Sequence, residues 1–199
     1  MRLRQAGAGL AMLCVLLTGC GGGGGSSAAG TASSAGGTSP SAAAPSSVSN
    51  SSAVPTVPAG PVIRGQEVTL TAPAGAVVDQ GDAPWQKTFH VGKREGLVVQ
   101  LNEQDCTCGL SDDQAGVDAF AKTALKLNTF GLERQPDATV GGHLFAHLAG
   151  RKGGYAHETY GTYDNGLLIT IEFIVDPSAL PLARAQPMIA SILASARFS

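Results

Sequence analysis

The sequence predicts an α+β domain in which helices cover a largely antiparallel sheet. Three observations carry this. Short apolar-rich runs with strand-like composition recur between turn signals such as "RKGG" and "DNG". Two other stretches switch to helical period. The order is strands, helix, strands, helix, with no repeating β-α alternation that would build a parallel sheet.

The chain has 199 residues and divides unevenly. "MRLRQ" is a basic start and "AGAGLAMLCVLLTG" a short apolar run, below the roughly 20 residues that a membrane-spanning helix needs. The run ends in Leu17-Thr18-Gly19-Cys20, which resembles a bacterial lipobox. That resemblance implies a signal peptide over residues 1–19, cleavage before Cys20, and a diacylglycerol thioether on the Cys20 sulfur. Cys14 lies inside the apolar run and serves there as an apolar filler.

Residues 20–61 follow as a tether. After Cys20 they are nearly all Gly, Ala, Ser, Thr, Pro and Val, without charge or aromatic ring. Such a segment has too little apolar surface to offset its ordering entropy, so it is expected to be disordered. Its reach as a flexible chain is roughly 35 Å. Simple spacing from the bilayer accounts for it, ahead of a glycosylated stalk.

Residues 62–199 are expected to form one globular domain. Arg2 and Arg4 are the only charges before Arg64, which leaves the domain 11 of the 13 Lys and Arg and all 15 Asp and Glu. This dispersed, mildly acidic balance argues against a nucleic-acid partner. "GQEVTLTAP" alternates as a strand, "WQKTFHVG" is a second candidate, and "GLVVQLNE" predicts a strand buried on both faces. In "SDDQAGVDAFAKTALKLN", Val117, Phe120, Ala121, Ala124 and Leu125 line one helical stripe. Ser111 and Gln114 predict a capping box, and Gly131 a stop shortly after the helix. "GHLFAHLAG", "GYAHETYGTY" and "LLITIEFIVD" predict three strands, with Asn165-Gly166 the stronger hairpin turn. In "QPMIASILASARF", Pro187 is expected in the first turn of a helix whose stripe is Ile189, Ile192, Leu193 and Ala196.

"EVTLTAPAG" at the start of the domain, Pro73 and Gly75 after the first strand, Gly142 before a long strand, and the Ser-Ala-Arg-Phe ending together resemble actinobacterial LpqN/LpqT-type lipoproteins. The resemblance covers roughly residues 64–199 plus the leader. It implies a PsbP/Mog-like α/β/α sandwich and a non-enzymatic binding or assembly module of the cell envelope. It implies no cofactor. The partners it implies are the membrane, through the lipid on Cys20, and an envelope protein or small ligand on the extracytoplasmic side.

Several residues invite a chemical role. Cys106 and Cys108 in "DCTCG" are the thiols left once Cys14 is removed and Cys20 is capped. In an oxidising compartment they are expected to pair as a disulfide, with thiol-disulfide exchange and metal binding left open. His143 and His147 are four residues apart, a metal-sharing distance on a helix. On a strand four residues span roughly 13 Å, so no shared metal is expected, although His157 on the next strand could approach one of them. Asp105, Asp112 and Asp113 are expected to cap the helix and face water. No nucleophile elbow, phosphate loop or dinucleotide fingerprint occurs. The expectation is a membrane-anchored binding or scaffold domain without catalytic residues and without a metal. The alternatives are a thiol-disulfide protein using Cys106 and Cys108, and a hydrolase whose site is assembled from residues distant in sequence.

Overall fold

Strand β5 (Leu97–Asp105) is an interior strand of the large sheet, paired on both edges. Leu97, Val99, Leu101 and Glu103 are buried on one side, while Val98, Gln100, Asn102 and Gln104 are half-buried on the other. The computed structural model describes residues 59–79, 83–92, 95–127 and 130–199. Residues 1–58, which hold the expected signal peptide, Leu17, Thr18, Gly19 and Cys20 and most of the expected tether, lie outside the described residues.

In chain order the other elements are β1 (Ala59–Arg64), β2 (Val68–Pro73), β3 (Val77–Val78), β4 (Gln86–Val91), α1 (Gln114–Leu127), β6 (Leu132–Val140), β7 (His143–Lys152), β8 (Tyr155–Asp164), β9 (Leu167–Val175), α2 (Leu182–Ala194) and β10 (Arg197–Phe198). Among the described residues, seven strands form one sheet in the order β3-β4-β5-β9-β8-β7-β6, and β1-β2-β10 form a second. Every pairing is antiparallel. The fold is α+β, as the sequence predicts, with one helix on each face of the large sheet.

The two faces carry separate cores. On one, Phe89, Val99, Leu101, Phe145, Ile169, Ile171 and Phe173 pack against Leu70 of the small sheet and Ala185, Ile189 and Ile192 of α2. On the other, Ala146, Leu148 and Tyr163 meet Val117, Phe120 and Ala121 of α1. Helix α1 rests on β6, β7 and β8. It does not reach across β5, so β5 is deeply buried on one face only, a correction to the two-sided burial expected.

The hairpins follow their turn residues. Asn165 and Gly166 have φ of 48° and 78°, the left-handed pair that a two-residue hairpin matching strand twist requires. Gly141 and Gly142 likewise join β6 to β7, at φ 62° and 100°.

Four further sequence expectations are revised. Gln114 does not reach back to Ser111; it bonds Asp118 and Asp137, and the cap of α1 is Asp113, whose Oδ1 accepts from Gly116 N–H at 2.9 Å. The negative charge of Asp113 suits the orphan N–H groups better than a hydroxyl. Helix α2 begins five residues before Pro187, which therefore lies inside it. An internal proline forfeits a hydrogen bond at a cost of about 3 kcal/mol, offset here by burying Ala185 and packing Leu182 on the core. Strand β1 starts at Ala59, inside the stretch assigned to the tether. Backbone pairing with β2 needs no bulky side chain, and Gly60 sits so close to the Pro73 carbonyl that a Cβ would clash. Strand β6, "LERQPDATV", was not foreseen. Pro136 is tolerated because β6 is an edge strand with a register shift between Gln135 and Ala138.

The Ser-Ala-Arg-Phe ending closes the molecule. Ser195 Oγ accepts from Thr71 N–H at 2.9 Å and donates to Ile192 O at 2.6 Å, tying the end of α2 to β2. Arg197 and Phe198 then pair with β2.

Candidate functional site

The pleat of β7 puts His143, Phe145 and His147 on one face and Leu144, Ala146 and Leu148 on the other. His143 and His147 enter different clusters, as strand spacing predicts. His147 stacks on Tyr160 directly across the ladder, with ring centroids 4.3 Å apart. Its Nε2 lies 3.4 Å from Glu158 Oε2. Glu158 also accepts from Tyr160 Oη at 3.2 Å and from the Gln186 amide on α2. Burial pushes the Glu158 carboxyl up, but the close His147 imidazole and the hydrogen bonds from Gln186 and Tyr160 outweigh it and hold it below the ordinary carboxylate range. Burial next to that carboxylate pushes the Tyr160 phenol well above its usual value.

His157 does not approach either histidine. It lies one residue out of phase with Glu158, so it points to the α1 face and stacks on Phe130 at 4.4 Å. Burial, with Lys152 nearby, lowers its pKa and favours the neutral ring.

His143 is the meeting point of three segments. Asp112 precedes α1, held there by the Asp113 cap. Asp164 closes β8, just before the Asn165-Gly166 turn. Cys106 N–H donates to Gly166 O at 2.6 Å and draws the loop that carries Asp112 onto that turn. His143 Nδ1 consequently lies 2.9 Å from Asp112 Oδ2 and 3.8 Å from Asp164 Oδ2. The imidazole stacks on Phe198 at 3.8 Å, and the Phe198 ring fills the space a Cβ on Gly141 would need. The three side chains are between 17% and 39% exposed, so the cluster is reachable from solvent. The sequence assigned Asp112 to capping and solvation; only Asp113 caps. Asp105 ends β5, exposed, opposite Leu167. The legible signal for the cluster was phase: His143 shares the face of Phe145, and Asp164 shares the face of Tyr160.

Cys106 and Cys108 are joined in the loop between β5 and α1, with Cα atoms 5.3 Å apart and Cys108 exposed. The ring they close is very short, so it removes little entropy from the unfolded chain. Replacing both with Ser is expected to cost less than about 2 kcal/mol in denaturant melts. Intact mass should rise by two hydrogens on reduction. Free thiols in freshly purified protein, or a loss above about 3 kcal/mol, would reject a merely local role.

A hollow of about 160 Å³ lies between β2 and α2, lined by Thr71, Pro73, Ser191 and Ser195 among others. It is smaller than the usual pocket for a drug-sized ligand, roughly 300–1,000 Å³.

No family model matches the chain, and no curated protein matches it. Among solved structures it is similar to cyanobacterial PsbP from Synechocystis, at 11% identity and TM-score 0.43, over 66% of this chain and 86% of that one. It is similar to the Ran-binding protein Mog1p of Saccharomyces cerevisiae, at 11% identity and TM-score 0.44, over 65% of this chain and 89% of that one. A protein of Bacteroides thetaiotaomicron matches at 10% identity and TM-score 0.44 over 69% of this chain. The match spans 49% of that protein, about half its length.

Proposed function

We propose that this chain is a lipid-anchored binding or scaffold module on the extracytoplasmic side of a bacterial cell membrane, of the LpqN/LpqT type. The observation that carries the reading is the Leu17-Thr18-Gly19-Cys20 block, placed after a basic start and a short apolar run and before a charge-free tether. A single acyl chain binds a bilayer marginally, at about 0.8 kcal/mol per buried methylene, whereas two or three chains on Cys20 would hold the domain stably.

The non-enzymatic part of the reading is supported by how the domain uses its acid and base groups. Glu103 accepts from backbone N–H groups, Glu158 is held among Tyr160, His147 and Gln186, and Asp113 caps α1. Those carboxylates hold structure together. Recognition is then the work left to the rims of the sheets, and crosslinking in intact cells with mass spectrometry would name the partner.

Cys20→Ala is expected to abolish metabolic palmitate labelling and move the protein from the detergent phase to the aqueous phase, or leave it as uncleaved precursor. An unlabelled wild-type protein would sink the reading.

A further inference from the structure

We propose that Asp112, His143 and Asp164 form a binding site for a divalent first-row transition cation of the zinc type. The inference goes beyond the anchored-module reading and does not depend on it; an unlipidated Cys20 would leave the site intact.

The geometry is that of a ligand set. One nitrogen and two carboxylate oxygens, from three segments far apart in sequence, lie within 4.8 Å of one another. Ligands about 2.1 Å from a tetrahedral zinc stand roughly 3.4 Å apart. The His143 Nδ1 distances of 2.9 and 3.8 Å to the two carboxylates bracket that spacing, and rotation of the two aspartate side chains would bring their oxygens, within 4.8 Å of each other, onto one cation. Imidazole nitrogen with carboxylate oxygen suits zinc and its neighbours better than magnesium or calcium, which favour all-oxygen shells.

His143 Nδ1 supplies the second argument. The atom is shut off from solvent and makes no hydrogen bond among the described residues, although Asp112 Oδ2 is 2.9 Å away. The carboxylate is near but misaligned for an N–H donor. With the ring proton on Nε2, a bare Nδ1 lone pair would face two anionic oxygens. That arrangement is repulsive by itself and favourable around a cation. Phe198 fixes the ring plane by stacking. The other histidine–carboxylate contacts differ in their carboxylates: among the described residues His90 meets Asp79 alone, and His147 Nε2, although it too is buried and without a hydrogen bond, faces a Glu158 already engaged by Tyr160 and Gln186. Three protein ligands leave a fourth position for water or an external donor, the character of an open site. The bland alternative is an ion pair between a protonated His143 and its two aspartates.

The test uses the full chain, oxidised at Cys106 and Cys108 and stripped with chelator, titrated with zinc chloride by calorimetry and followed by thermal melts. One zinc per chain is expected, with Tm rising by about 5–10 °C at 100 times Kd and falling back on adding EDTA. His143→Gln and Asp164→Asn should each weaken binding by about 100-fold or more, and His90→Gln should leave it unchanged. Asp112→Asn, on a loop and 39% exposed, guards against a variant that fails to fold and should also weaken binding. A Cys106/Cys108 double Ser variant should keep its zinc. No saturable zinc, zinc retained by the Asp112, His143 and Asp164 variants alike, or zinc lost with the cysteines would overturn the site and leave the ion pair as its explanation.

Discussion

Replacing Glu103 with Ala is expected to cost about 4 kcal/mol of folding free energy and to lower Tm by roughly 10 °C or more. Glu103 is 2% exposed on β5, in phase with Leu97, Val99 and Leu101. Its carboxylate accepts backbone N–H from Glu67 at 3.0 Å and Val68 at 2.7 Å, and from Gln66. These donors lie where the chain passes from β1 into β2, so one side chain on the large sheet organises the entry to the small one. Hydrogen bonds to a charged group contribute about 1.5–3 kcal/mol each, and truncation leaves the donors without their acceptor. Glu103→Gln keeps the shape, yet it loses the charge and turns an N–H₂ group toward N–H donors, so most of the loss should remain. Gly65 offers an independent check, because a Cβ there would lie against the Glu103 carboxylate. Gly65→Ala should destabilise in the same direction. A Glu103→Ala variant within about 1 kcal/mol of wild type in denaturant melts would remove the carboxylate from this role.

The second large effect belongs to the α1 face. Phe120→Ala is expected to cost about 3–5 kcal/mol. Phe120 is 2% exposed and its ring lies over Gly161 of β8, so closely that a Cβ on Gly161 would overlap it. Gly161→Ala should therefore destabilise by about 1–3 kcal/mol through overpacking. The two sites share one volume, so their effects should not add: in a Phe120→Leu background the Gly161→Ala penalty should shrink by at least about 0.5 kcal/mol. Full additivity would show that the ring does not depend on the missing side chain.

Much of this architecture was legible because strand and helix are local choices. Alternation marked β2 and β7, strand-like runs between turn signals marked β8 and β9, the stripe Val117, Phe120, Ala121 marked α1, and Asn165-Gly166 marked its hairpin, since backbone preference and side-chain period act over a few residues. Strand β6 was hidden because Pro136 argues against a strand until its place at the sheet edge is known. The start of α2 was misplaced because Pro187 is a strong local signal that burial of Ala185 overrides. With β5 expected to be buried on both faces, nothing local told that Glu103 points inward or that the 66–68 backbone waits to meet it.

The candidate cation cluster shows the same division. The sequence by itself determined that His143 shares a face with Phe145 and that Asp164 precedes a tight turn. Only the tertiary structure decided that Asp112, from the loop before α1, arrives beside them. Strand order and register choose which distant segments become neighbours, and those are set by burying both faces of the large sheet at once, a sum over the whole domain that no short window of sequence contains.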